Sequence, residues 1–253
     1  MNAFTRIRRA GRRANPKMKN VSESTISRLS LYLRLLEELA RDGVETVSSD
    51  RLAERAGTTA AQVRKDLSVF GTFGKRGLGY RVADLIGELR SILGLSRRWR
   101  VALVGAGKIG AALYGYEGFR RQGFDIEAVF DADPSKVGQQ WNGVEVLPAD
   151  RMEAEVSEGG YEIVIVAVPA RAAQGVVDRL VEAGVRAILN FAPTKLHVPE
   201  GVKLKNVNMA VEMESLSYAL TRDGAGGGRR SREESTPSAT GTASSTTSAE
   251  DEA

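Results

Sequence analysis

Three glycines, Gly105, Gly107 and Gly110, stand in the order G-x-G-x-x-G within VALVGAGKIGAAL, between a short apolar run and an Ala-rich stretch. Glycine first allows a sharp turn, glycine second lets backbone approach a pyrophosphate, and glycine third lets a helix pack closely on a strand. Phosphates then meet the free N–H groups of the helix start. The candidate cradle is Gly105, Ala106, Gly107, Lys108, Ile109 and Gly110. Asp131 ends the next apolar run, DIEAVFD, 26 residues past Gly105. A carboxylate there suits the 2′-hydroxyl of an adenosine ribose and repels a 2′-phosphate, so NADH or NAD+ is preferred to the phosphorylated forms. Asp131 also stands in DADPSKVG, where a turn cap is the plainer reading. Val168, Pro169 and Asn190 follow two further β-branched runs, YEIVIVAVP and RAILNF, and fall where the ends of parallel strands hold ligands.

A second group of residues suits nucleic acid. In TAAQVRKDLSVF, Thr59 and Gln62 have the spacing that opens a helix. Val63, Leu67 and Phe70 share one face, leaving Gln62, Arg64, Lys65 and Ser68 largely outside it. Gln can pair with adenine and Arg or Lys with guanine, so this helix, with Thr59 at its start, is the candidate reader of a major groove. GTFGKRGLGYRV follows, predicting a glycine-bounded hairpin with Phe73, Tyr80 and Val82 on strands and Lys75 and Arg76 near its tip, placed to meet phosphates. Each charge alone is most simply a solvated surface group; the spacing and the basic face together favour DNA.

These residues need elements to hold them. STISRLSLYLRLLEELARDG repeats Ile26, Leu29, Leu33, Leu36 and Leu39 at helical spacing and stops at Gly43. VSSDRLAERAG reads as a short helix capped by Ser48 or Ser49. With the helix that follows it makes a helix-turn-helix. ADLIGELRSILGL, residues 83–95, closes a winged helix-turn-helix domain. Past SRRWR, β-branched runs alternate with helical stretches, among them RAAQGVVDRLVEAG, and VKLKNV adds a strand. That alternation predicts a Rossmann-like, doubly wound parallel sheet. The expected divisions are a basic arm over 1–20, the winged helix over 21–95, the dinucleotide domain over 96–208, a C-terminal helix over 209–222 and a tail over 223–253.

Composition bounds the rest. Hydrophobic residues make up 42% and charged residues 27% of the 253, ordinary for a globular protein. No apolar run approaches the roughly 20 residues that cross a bilayer, and the N-terminus lacks the apolar core of a signal peptide. A cytoplasmic protein is expected. With no cysteine and one histidine, thiol chemistry and multi-His or Cys metal sites are excluded. The net charge of +4 is unevenly spread: residues 1–20 carry seven Arg or Lys and no acid. Such an arm needs no fixed structure to hold phosphates. The Gly/Ser/Thr-rich tail has too little to bury and is expected to be disordered.

A dehydrogenase needs an acid or base beside its hydride-transfer site. His197, in PTKLHVPEG, reads as a loop residue, and no Tyr-x-x-x-Lys pair stands out. The enzyme reading, an NAD-dependent oxidoreductase with an accessory DNA-binding domain, is therefore the weaker one. A CoA or nucleotide scaffold is a third.

The strings AAQVRKDLSVFGTFGKRGLGYRV, GAGKIG, YEGF, VFDADPSKVG, AVP, ILNFAP and LSYAL, in this order, resemble the bacterial redox-sensing transcriptional repressor family Rex over about residues 21–222. The resemblance implies a homodimer on a palindromic operator, NADH or NAD+ in the Rossmann domain, and release from DNA upstream of respiratory and fermentative genes when NADH binds. It implies that MAVEMESLSYALTR, read alone as an amphipathic helix with Val211, Leu216 and Leu220 apolar, inserts between the domains of the other subunit. It also implies a switch at Arg34, Tyr116 and Asn208. Some members carry aspartate at the last position, whereas Asn208 can hydrogen-bond but supplies no full charge. The arm and the tail fall outside the resemblance.

Overall fold

The computed structural model describes residues 21–71, 73–74 and 78–226, the last four of these by backbone alone. The basic arm, Lys75 and Arg76 at the expected hairpin tip, and the tail beyond Gly226 lie outside the described residues. The chain divides into two compact units, one ending at Lys205 and one beginning at Asn206.

The first unit opens with α1 (Glu23–Arg41), capped by the Ser22 hydroxyl, which accepts from the Thr25 N–H. Leu29, Leu33, Leu36 and Leu39 are buried as the spacing predicts, joined by Tyr32, while Ile26 stays partly exposed. The helix stops at Gly43, whose φ of +74° suits glycine. β1 (Thr46–Val47) leads to α2 (Ser49–Ala56), capped by Ser48 and not Ser49. α3 (Ala60–Ser68) is capped by Thr59, which accepts from the Gln62 N–H. β2 (Tyr80–Arg81) runs into α4 (Val82–Ile92).

The expected hairpin within residues 71–82 is replaced by a different pairing. β2 pairs antiparallel with β1, Val47 opposite Tyr80 and Thr46 opposite Arg81. Phe73 lies outside any strand and packs on the helical core. Val82 is buried in the first turn of α4. Gly79 makes this possible, because a Cβ there would stand 2.5 Å from the Val47 carbonyl oxygen.

A seven-stranded sheet follows, built on β3 (Trp99–Val104), β4 (Phe124–Asp131), the hairpin β5 (Gln140–Trp141) and β6 (Val144–Pro148), β7 (Ile163–Val166), β8 (Ala187–Asn190) and β9 (Lys203–Asn206). Its order is β5-β6-β4-β3-β7-β8-β9. Pairs β3/β4, β3/β7, β4/β6 and β7/β8 are parallel, and β5/β6 is antiparallel. Helices α5 (Lys108–Tyr114), α6 (Glu117–Arg121), α7 (Met152–Gly159) and α8 (Ala170–Glu182) make the crossovers. Without β5 this is the doubly wound order, which reverses direction between β3 and β7. Val104, Phe130, Val166 and Ile188 bury one face of the sheet and Leu103, Val129 and Ile165 the other, the two-sided burial that continuous apolar strands imply.

The second unit carries α9 (Met209–Gly226), which runs past the expected end at residue 222. Met209, Met213, Leu216 and Leu220 lie along one face at helical spacing, and all are exposed. Val211 and Tyr218 lie opposite, also exposed, so Val211 does not share the stripe of Leu216 and Leu220 expected from sequence. No helix among the described residues is long and apolar enough to cross a membrane.

Candidate functional site

The glycine loop forms where β3 ends. Gly105 has φ +106°, and a Cβ on it would stand 2.4 Å from the Ala167 carbonyl oxygen past the end of β7. Glycine is therefore required twice over, by conformation and by space. A Cβ on Gly110 would meet the Gly105 carbonyl oxygen at 1.9 Å, so the third glycine lets α5 sit against the loop. Gly107 differs: its φ is −81° and a Cβ there meets nothing within 4 Å. The fold has no need of glycine at 107, which borders open space.

That space is a cleft of about 840 Å³, the size range of a cofactor site. Gly105, Gly107, Lys108, Ile109, Asp131, Val168 and Pro169 line it. Lys136 and Arg171 add cations, and Phe191 and Pro193 an apolar wall. The cleft lies at the strand ends beside the reversal between β3 and β7, where dinucleotides bind in such sheets.

Asp131 is nine-tenths buried at the end of β4. Its Oδ2 accepts from the Ala106 N–H (2.6 Å) and from Lys136 Nζ (3.2 Å), and its Oδ1 accepts from the Asp133 N–H (2.8 Å). The carboxylate thus caps the DADPSK turn and also ties the glycine loop to the next strand. The cap is one of the two readings of this residue from sequence; the tie to the glycine loop was not expected. Ala106 is buried and serves through its backbone. Asn190 and Gly110 are not on the cleft wall. Buried Asn190 accepts from the Ala192 N–H (2.9 Å) and donates to the Ala192 carbonyl (3.1 Å), bracing the loop that carries Phe191 and Pro193. Lys136 and Arg171 were missed in the sequence. Their signal was position: Lys136 ends the turn that Asp131 opens, and Arg171 stands two residues past Pro169 in the first turn of α8.

On α3, Arg64, Lys65 and Ser68 are exposed, as is Thr59 at its start. Arg64 donates to Ser49 Oγ (2.6 Å), which braces its guanidinium against α2. Gln62 is half-buried and turns inward, donating through Nε2 to Asp66 Oδ1 (2.8 Å). It therefore does not complete the reciprocal capping bond to Thr59. Asp66 was missed in the sequence, where an acid on a basic helix reads as solvated. It is only 2% exposed and receives Arg28 through two bonds (2.6 and 2.7 Å) and the Tyr32 hydroxyl (3.0 Å). Burial pushes the Asp66 carboxyl up, but the bonds from Arg28, Gln62 and Tyr32 outweigh it and leave it below the ordinary 3.8. Burial and the bond to Asp66 push the Tyr32 hydroxyl up to about 12.

Family models described as "Putative DNA-binding protein N-terminus" and "CoA binding domain" match residues 20–68 and 96–194. A redox-sensing transcriptional repressor Rex from Carboxydothermus hydrogenoformans is 52% identical over 203 residues, covering 80% of this chain and 98% of that protein. The chain belongs to the Rex family. The Rex of Streptomyces coelicolor is 45% identical over 202 residues, 80% of this chain and 78% of its own. The crystal structure of RSP in complex with beta-NAD+ and operator DNA superposes with a TM-score of 0.78 at 39% identity, covering 81% of this chain and 95% of that one. RSP with beta-NADH gives 0.74 at 38%, covering 81% and 96%.

The positions that the Rex resemblance marks as a switch fall in both units. Arg34 is exposed on α1. Tyr116 is 56% exposed at the start of α6, its ring edge-on to Phe119 at 5.2 Å. Asn208 opens α9 in the second unit, where its Oδ1 accepts from the Ala210 N–H (3.0 Å). This local cap occupies the oxygen that an aspartate would offer as a charge.

Proposed function

We propose that the chain is a DNA-binding transcriptional repressor that senses the NADH/NAD+ ratio and leaves its operator when NADH binds. The observation that carries the reading is the cleft at Gly107, a place where glycine is superfluous for folding and a side chain would fill the space of a ligand. The winged helix over residues 21–95 reads operator DNA through α3, with Lys65 and Arg64 toward the bases, Thr59 and Ser68 beside them, and Lys75 and Arg76 of the wing at phosphates. The Gly105–Gly110 loop, Asp131, Val168 and Pro169 hold the dinucleotide over residues 96–208, with Asn190 supporting the wall from behind. The protein acts as a cytoplasmic homodimer on a palindromic site.

The dinucleotide, when bound, supplies a redox-dependent charge and shape; no hydride transfer is part of the cycle. Gly107 leaves room for a pyrophosphate beside the first N–H groups of α5, and Lys108, Lys136 and Arg171 offer positive charge around it. Asp131 keeps the loop in place while facing a ribose. The coupling is a difference in NADH affinity between two arrangements of the DNA-binding domains. Turning the population over from mostly one to mostly the other requires roughly 10⁴-fold preference, and a smaller ratio gives a graded response.

Operator binding titrated with NADH and with NAD+ at fixed salt tests the reading. Affinity should fall with NADH and hold with NAD+; equal affinity in both removes the sensor. In the same assay Lys65→Ala should weaken operator binding by about 1–3 kcal/mol without lowering the melting temperature. The "CoA binding domain" match favours one second reading, a receptor for CoA, which competition by CoA against bound NADH separates.

A further inference from the structure

The winged helix joins the dinucleotide fold through a short, braced connection. Arg90, near the end of α4, donates to Glu37 Oε1 on α1 (2.9 Å) and to the Leu95 carbonyl (3.3 Å). The Trp99 indole N–H donates back to the Gly94 carbonyl (2.8 Å). Only six residues separate α4 from β3. The other oxygen of Glu37 crosses between the two folds, accepting from Gln122 Nε2 at 3.5 Å. Gln122 ends α6 and precedes Gly123, whose carbonyl receives the Trp99 N–H (2.7 Å). Tether and bridge therefore meet at one place.

Two details mark this bridge as adjustable. A hydrogen bond of 3.5 Å is at the limit of a useful length. The remaining polar atom of the same side chain, Gln122 Oε1, is buried with no hydrogen-bond partner, a costly arrangement that a small movement could relieve. At the opposite end of α1, Lys205 Nζ donates to Glu23 Oε2, a second tie between the folds. The two ties are roughly 21 Å apart along the helix. The Lys205–Glu23 pair is largely exposed and weakly held, whereas the Glu37 carboxylate is half-buried and fixed by Arg90.

We propose that the Arg90–Glu37–Gln122 bridge is the pivot on which the winged helix turns against the dinucleotide fold, so that Glu37 and Gln122 set the balance between the DNA-binding and the NADH-binding arrangements. The inference rests on the sensor reading given above. Neither residue lines the cleft or lies on the exposed face of α3, so their effect reaches DNA and NADH only through the domain angle. Because binding free energies are reciprocally linked, a change in that balance must strengthen one ligand while weakening the other.

The test uses the full chain with Gln122→Leu, Glu37→Ala and Glu37→Gln. Operator affinity is measured without dinucleotide, NADH affinity without DNA, and melting temperature alongside. Gln122→Leu and Glu37→Ala should move the two affinities in opposite directions by roughly two- to thirty-fold. Glu37→Gln keeps an acceptor for Arg90 and gains a donor for Gln122 Oε1, so it should stay within about twofold of wild type. Unchanged affinities in Gln122→Leu and Glu37→Ala overturn the pivot. Affinities that fall together with the melting temperature also overturn it, in favour of a merely structural contact. If wild type itself shows no difference between NADH and NAD+, the sensor reading fails first and the pivot with it.

Discussion

A single glycine position separates what the fold requires from what the ligand requires. Gly105 sits at φ +106° against the Ala167 carbonyl, so Gly105→Ala strains the backbone and meets a neighbour at once. It should destabilise the fold by about 1–3 kcal/mol or more. Gly107→Val has a free conformation and open space, so its melting temperature should stay close to wild type while NADH no longer releases DNA. Thermal unfolding of both variants, paired with the NADH titration, checks this. A Gly107→Val protein that still responds to NADH would move the ligand elsewhere. The motif in the sequence named all three glycines but could not rank them, because their roles depend on the Ala167 carbonyl just past β7 and on the loop itself.

The pairing of α1 with α3 rests on Asp66. Three donors from three positions converge on its buried carboxylate, so Asp66→Asn should cost about 2 kcal/mol at neutral pH, a figure reduced from that of a fully buried pair because Arg28 is 29% exposed. Its folded-state pKa lies below the unfolded one. The stabilisation is therefore complete above about pH 4 and is lost as pH falls through the folded value. The gap in melting temperature between wild type and Asp66→Asn should be full at pH 7 and shrink below about pH 4; a gap independent of pH would show that ionisation is irrelevant. Here the sequence was only partly legible. Leu29, Leu33, Leu36 and Leu39 announced the buried face of α1, and Thr59 announced the start of α3, because helical period and capping are local. Asp66, Arg28 and Gln62 gave no such signal, since charged residues are read as surface until a tertiary partner is seen. The two-residue strand Thr46–Val47 was illegible for a similar reason: it is too short to show a period, and its partner lies beyond a helix-turn-helix.

At the level of the molecule, α9 is apolar on two opposed faces, Met209, Met213, Leu216 and Leu220 on one and Val211 and Tyr218 on the other. Glu212 and Glu214 lie between these stripes, so the helix offers two separate apolar contacts, one on each side. In a dimer with this helix inserted into the other subunit, Leu220→Asp removes one apolar anchor from each of two equivalent contacts, roughly 1.5–3 kcal/mol apiece. Light scattering should then show dissociation at concentrations where wild type is dimeric; an unchanged mass would remove α9 from the interface. The alternation of strands and helices after residue 100 foretold the parallel sheet, though not the β5–β6 hairpin at its edge.

The chain has two tryptophans, and they sit at different stations. Trp141 leans against Tyr114 inside the dinucleotide fold, while Trp99 opens β3 where the connection ends, bonded back to Gly94 and covered by the Arg97 guanidinium 3.6 Å from its ring centre. A change of angle that shifts Gly94 or Arg97 alters what surrounds that indole. With Trp141 replaced by phenylalanine, the fluorescence of Trp99 becomes an intrinsic optical gauge of the hinge, read without any attached dye.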